Sequence, residues 1–152
     1  MAQALSETDK AYLSGIVDGE GSVGIYRQHV GRSGGAGMAV RLSIVSTTKA
    51  LIDWLELKIG FGSVTTRPES VEKNRNRAYL WQAHGQNAVD LLINLTPYLV
   101  IKKRQARVAI LFQKTRGITG KKVSTLISFQ RERLRKIMRH ENRRGYGTVS
   151  HV

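Results

Sequence analysis

The tripeptide Gly-Ser-Val occurs twice, at residues 21–23 and 62–64, and each copy opens a run that reads as a β-strand. In GSVGIYRQHV, Val23 and Ile25 alternate with Gly24, Tyr26 and Gln28, the period of two expected of a strand with one buried face. MAVRLSIVST continues the pattern, with Val40, Leu42 and Ile44 inward and Arg41, Ser43 and Val45 outward. The intervening GRSGGAG suits a hairpin tip. Over residues 49–59 the period changes: Leu51, Trp54, Leu55 and Ile59 fall at helical spacing, and Gly60 supplies the stop. After the second Gly-Ser-Val the same order returns, as the polar loop RPESVEKNRNR, the strand AYLWQAH and a helix from about 86 to 95 ahead of Pro97. Two strand–strand–helix units in tandem predict a four-stranded antiparallel sheet with helices on one face, an α+β architecture. The other face of the sheet is then free for a partner.

A helix precedes the first unit. Ser6-Glu7-Thr8-Asp9 fits a capping box, so the helix starts near Glu7. Tyr12, Leu13, Ile16 and Val17 give it an apolar stripe, and Gly15 and Gly19 lie four apart where a second backbone can approach. Gly19 by itself reads as the helix end. Two more helices are predicted after the second unit, over residues 101 to about 115 and 124 to about 142. In the last one Glu132 can pair with Lys136, whereas Arg131 and Arg135 repel, which assigns their charge to something beyond the helix. The 152 residues form one domain, with a core over about 6–112 and a basic helical region over 113–152.

Charge narrows the function. The net charge is +14, and it is uneven: residues 1–96 carry 10 basic and 9 acidic side chains, residues 97–152 carry 15 and 2. Such an excess signals a polyanionic partner, nucleic acid first. No apolar run approaches the roughly 20 residues of a membrane span, and the start MAQALSETDK lacks a secretion-signal pattern. A soluble, intracellular protein is expected, in an organelle or a prokaryotic cytoplasm. There is no cysteine, and the four histidines form no metal-binding motif, so thiolate chemistry and thiolate zinc sites are excluded.

Residues 13–21, LSGIVDGEG, followed by this αββαββ order, resemble the LAGLIDADG family of homing endonucleases and intron maturases. Leu13, Gly15, Asp18 and Gly21 are identical to the motif, and Ile16, Val17, Gly19 and Glu20 are near-equivalents. The resemblance covers about residues 6–112. A single motif copy in so short a chain is similar to the homodimeric branch, and implies that two motif helices pack through Leu13, Gly15, Ile16 and Gly19. One Glu20 cannot hold and use a divalent cation alone, but two-fold pairing brings two such carboxylates together. Glu20 and Gly19 are then the oxygen ligands of Mg²⁺, with Mn²⁺ or Ca²⁺ as other possible occupants. A pair of carboxylates with metals bridging water and phosphate can polarise the scissile phosphate and generate hydroxide for in-line attack. Glutamate stands where aspartate is commoner in the motif, which lengthens the arm by one methylene.

A second hallmark of the family, K-x-x-Q-A, is matched by Lys102 to Ala106. Lys102 stabilises developing phosphate charge or holds water, or is one more phosphate clamp beside Lys103 and Arg104; both roles stay open. Where some relatives use a glutamine to position water, this chain has Thr48, whose hydroxyl reaches less far. A strand of about 10 residues covers ~33 Å, close to the ~34 Å of one DNA turn. The outward residues Gly24, Tyr26, Gln28, Arg41, Ser43, Thr65 and Arg67, with Arg32, Arg75 and Arg77 near the loops, are therefore the expected DNA contacts. Two subunits imply a double-stranded, pseudo-palindromic target cut on both strands. An RNA-splicing maturase or a non-cleaving DNA-binding protein of the same fold is the alternative.

Overall fold

The computed structural model describes residues 4–30, 35–116 and 124–144. Helix α1 (Glu7–Glu20) is followed by strands β1 (Gly21–Val30) and β2 (Gly35–Ser46), helix α2 (Lys49–Ile59), strands β3 (Ser63–Arg67) and β4 (Ala78–His84), and helices α3 (Gly85–Leu95), α4 (Lys103–Lys114) and α5 (Thr125–Arg144). The four strands form one antiparallel sheet in the order β1-β2-β4-β3. The two tandem units are thus joined through their second strands. The register makes the repeat visible: Ser22 pairs with Ser43, Ser43 with Gln82, and Gln82 with Ser63. The serines of the two Gly-Ser-Val copies therefore close the two ends of one row across the sheet.

One face of the sheet carries the core. Val23, Ile25, Val40, Leu42, Ile44, Trp81 and Ala83 are buried there against Leu13 and Val17 of α1, Ile52 and Leu55 of α2, Leu92 of α3, Ala106 and Phe112 of α4 and Met138 of α5. Each such fully buried aliphatic side chain stabilises the fold by about 1.5–3 kcal/mol relative to exposure, so alternation in the strands is enforced by the helix layer behind them.

The cap of α1 is as the sequence predicts. Ser6 Oγ accepts from the Asp9 N–H at 3.1 Å and the Asp9 carboxylate accepts in return from the Ser6 N–H. Its end differs. Gly19 is not the stop, since the helix continues through it to Glu20 and is closed by Gly21, whose N–H donates to the Val17 carbonyl. Gly21 lies in extended conformation, and a Cβ there would sit 2.6 Å from that carbonyl oxygen. Glycine is needed at this position so that strand β1 can leave the helix directly.

The arginines of α5 also differ from expectation. Arg131 donates from Nη2 to the Thr115 carbonyl at 2.8 Å, satisfying an acceptor at the end of α4. Arg135 pairs with Glu132 at 2.5 Å, and Glu132 reaches Arg27 of β1 at 3.3 Å. The expected partner of Glu132, Lys136, is not the one used. Arg131 thus fastens α5 to the end of α4, while Arg135 orients Glu132 within the helix toward Arg27 of β1. Of the sequence-derived basic candidates, Arg32 lies outside the described residues.

Candidate active site and nucleic-acid interface

Two candidate catalytic residues, Glu20 and Lys102, lie near one another at one end of the sheet, and Thr48 follows the strand that ends there. Glu20 is the last residue of α1 and is exposed. Because Gly21 pairs with Ile44, the end of β2 runs past the start of β1 on the side where α1 arrives. Thr48 follows two residues after β2 as the exposed N-cap of α2; its N–H donates to Ser46 Oγ at 3.0 Å, and its own hydroxyl makes no cap bond. The carbonyls at the end of α1 carry the negative end of the helix dipole, which favours a cation beside Glu20.

Lys102 is brought in by Asp18, a residue the sequence singled out only as a motif letter. One Asp18 carboxylate oxygen accepts from the Val100 N–H at 2.8 Å, and the other from the Lys102 N–H at 2.9 Å. The Lys102 ammonium donates to the Asp18 carbonyl at 2.6 Å. Burial pushes this ammonium below the usual lysine range, while the nearby Asp18 and Glu20 carboxylates pull in the opposite direction. The rest of the K-x-x-Q-A stretch explains itself structurally: Gln105 and Ala106 turn into the core, Lys103 is half-buried and Arg104 exposed.

Helix α1 has a buried side and an open side. Leu13 is fully buried in the subunit's own core and is unavailable to a partner, which corrects its expected place at an interface. Gly15 and Gly19 are exposed, and a Cβ at either would meet nothing within 4 Å. Ile16 is half-buried and Tyr12, on the same face, is 55% exposed while its ring meets Trp54 edge-on at 5.0 Å.

The open face of the sheet carries the outward set. Tyr26, Gln28, Arg41, Ser43, Thr65 and Arg67 all lie on it, as the pairing of Ser43 with Gln82 and of Thr65 with Leu80 requires. The Arg41 guanidinium stacks over the Tyr26 ring, 3.7 Å from its centroid, a cation–π pair on the open face. Gly24 is buried beneath this pair: a Cβ there would come within 2.3 Å of the Tyr26 ring. Its place is to make room for Tyr26, not to meet a ligand. Arg77 is exposed in the β3–β4 loop, while Arg75 is half-buried and joined to Ser70 by two backbone hydrogen bonds of 2.8 and 2.9 Å. Leu80, Gln82 and His84 share the open face and were missed as candidates; the alternation of AYLWQAH about buried Trp81 was the available signal.

Among the described residues no three His, Asp or Glu side chains cluster. No helix among them is long and apolar enough to cross a membrane.

The sequence matches no family model and no curated protein. Solved structures do match in fold. The homing endonuclease I-CvuI, in complex with the I-CreI target in the presence of Mg, superposes with a TM-score of 0.72 at 18% identity, over 96% of this chain and 87% of that one. The homing endonuclease I-TnaI gives 0.63 at 15% identity, over 88% and 93%. The LAGLIDADG homing endonuclease I-GzeII, in complex with a DNA target, gives 0.65 at 15% identity, over 83% of this chain and 43% of that one. From the capping box of α1 to the C-terminal helices, the chain has the fold of the LAGLIDADG homing endonucleases.

Proposed function

We propose that the chain is a site-specific DNA endonuclease of the LAGLIDADG homing type that acts as a homodimer on a pseudo-palindromic duplex. The observation that carries this reading is the placement of exposed Glu20 beside half-buried Lys102 at one end of an open, Arg- and Tyr-bearing sheet face. The fold similarity to DNA-bound homing endonucleases supports it.

The donor set at the end of α1 is hard oxygen, the Glu20 carboxylate with the Gly19 carbonyl beside it, and suits Mg²⁺. One chain supplies too few ligands, so a second copy's Glu20 completes the site. Exposed Gly15 and Gly19 support that pairing, because each costs about 1 kcal/mol of helix propensity relative to alanine and neither is required by packing inside the subunit. When bound there, the divalent ion would neutralise phosphate charge and acidify a water molecule.

The chain's own residues do the remainder. Lys102, held on the Asp18 carbonyl, presents positive charge where charge develops on the phosphate. The Thr48 hydroxyl can orient a water. β1 and β2, of 10 and 12 residues, are long enough to follow about one turn of duplex, with Tyr26, Gln28, Arg41, Ser43, Thr65 and Arg67 toward the base edges and Arg77, Lys103 and Arg104 toward phosphates. Cleavage selection from a random-duplex library with Mg²⁺ tests activity, symmetry and site length together. An uncut library from which the chain still enriches one sequence would make it a non-cleaving binder.

A further inference from the structure

Successive rows of side chains cross the open sheet face, and they differ in chemistry. Ser22, Ser43, Gln82 and Ser63 make a row of hydroxyls and one amide, and the row of Gly24, Arg41 and His84 carries a guanidinium and an imidazole. The row at the other side of Ser43 is Val45, Leu80 and Thr65. Because Gly21 pairs with Ile44, Val45 lies one residue beyond the start of β1, at the end of the sheet where α1 delivers Glu20. Two of the three side chains in this row are aliphatic.

Val45 is 42% exposed and Leu80 half-buried, and neither joins the hydrophobic core of the described residues. They face each other across β2 and β4, which sets their Cβ atoms about 4.5–5.5 Å apart and makes one apolar spot. A single exposed aliphatic side chain is ordinary. Strand propensity does not demand valine either, since threonine, as at Thr65 in the same row, serves a strand as well. A facing aliphatic pair at the end of the face nearest Glu20 calls for an apolar group on the duplex.

We propose that Val45 and Leu80 read the 5-methyl group of a thymine in the major groove of each half-site. The proposal rests on the endonuclease reading above and specifies its target. Among the groups that bases present in the major groove, this methyl is the apolar one. An aliphatic pair set against the amino group of cytosine or adenine strips water from a donor and returns no acceptor. Thr65, beside Leu80, offers a hydroxyl to the thymine O4. The position follows from the strand. Arg41 suits guanine, whose O6 and N7 accept two hydrogen bonds from one guanidinium. It precedes Val45 on β2 by ~13 Å at ~3.3 Å per residue, or about four base pairs at ~3.4 Å each. The thymine therefore stands about four base pairs nearer the cleaved bonds than that guanine.

Gel-shift selection from a random duplex library with the full chain gives the site. Deoxyuridine then replaces each thymine in turn and removes only the methyl group. One thymine per half-site responds: affinity falls about fourfold for one half-site and about fifteenfold for both, the effect of one buried methyl each. With cytosine at that position, 5-methylcytosine binds better than cytosine by a similar factor. Val45→Thr, nearly isosteric at an exposed strand position, lowers the ratio of thymine to deoxyuridine affinity, and adding Leu80→Ala brings it to one. Circular dichroism and sedimentation velocity match the parent in both. Arg41→Ala relaxes an outer position and leaves the deoxyuridine ratio unchanged. A selected site indifferent to deoxyuridine at every thymine overturns the methyl readout and leaves the endonuclease reading standing. An unchanged ratio in Val45→Thr also overturns it, as does a changed oligomeric state, which would assign the pair to contact between copies. Equal affinity for all duplexes, with no sequence enriched, removes both readings.

Discussion

Gly21 decides where Glu20 points. With a side chain at 21 the strand could not leave α1 within one residue, and the carboxylate would not sit at the mouth of the sheet. Replacing Glu20 by Gln removes the charge at nearly constant shape; duplex cleavage should fall to background while gel-shift affinity changes little. Cleavage by this variant with Mg²⁺ would remove Glu20 from the chemistry. Asp18 acts one step back, tying the chain at Val100 and Lys102 to α1. Asp18→Asn keeps one acceptor and loses the charge and the other, so the unfolding free energy should drop by about 1–2 kcal/mol in a urea titration, with Lys102 displaced and cleavage reduced more than binding. Asp18 was visible in the sequence as a letter of a motif, but its partners are more than 80 residues away, and spacing says nothing about contacts of that range.

Helix α1 presents an open glycine face and α5 a pinned basic one, and each has its own test. Gly15→Leu adds a good helix former at a position with free space inside the subunit, so the isolated chain should stay folded by circular dichroism. In sedimentation velocity the same variant should run as a monomer under conditions where the parent is a dimer; a dimeric variant would rule out close packing of two α1 helices. In α5, the Arg135 guanidinium, with Arg27 behind it, holds the Glu132 carboxyl down to about 2 from its ordinary 4.5. A depressed folded-state value stabilises the fold above the unfolded value and is lost as pH falls through the folded one. The contribution is therefore full above pH ~4.5 and gone near pH ~2. The carboxyl is solvent-screened, so the effect is about 0.5–1 kcal/mol. Glu132→Gln should lower the melting temperature at neutral pH and flatten its acid dependence across that window; an unchanged slope would mean the tether is not formed in solution.

For the molecule as a whole, the positive charge is divided among uses that the sequence lumps together. Arg27 and Arg131 hold α5 in place, Arg135 pairs within α5 with Glu132, Lys102 serves the end of α1, and Arg41 and Arg67 stand on the open sheet face. If the sheet face and its flanks neutralise phosphates from both subunits, duplex affinity should fall about a thousandfold between ~50 and ~200 mM salt; an anisotropy titration that stays flat would mean that the sheet does not meet a backbone. The sequence by itself determined the tandem β-strand and helix order, the faces of the strands and the motif helix, because periodicity and capping act between residues a few positions apart. Alternation in AYLWQAH and in MAVRLSIVST needs no knowledge of a partner to show which side is buried. Only the tertiary structure decided that Leu13 belongs to the core while Gly15 and Gly19 face out, that Asp18 carries Lys102 to Glu20, and that Arg131 reaches α4 and Glu132 reaches β1. Those outcomes rest on which acceptors and apolar surfaces distant segments bring together, and a residue's type and spacing are the same whichever neighbour the fold supplies.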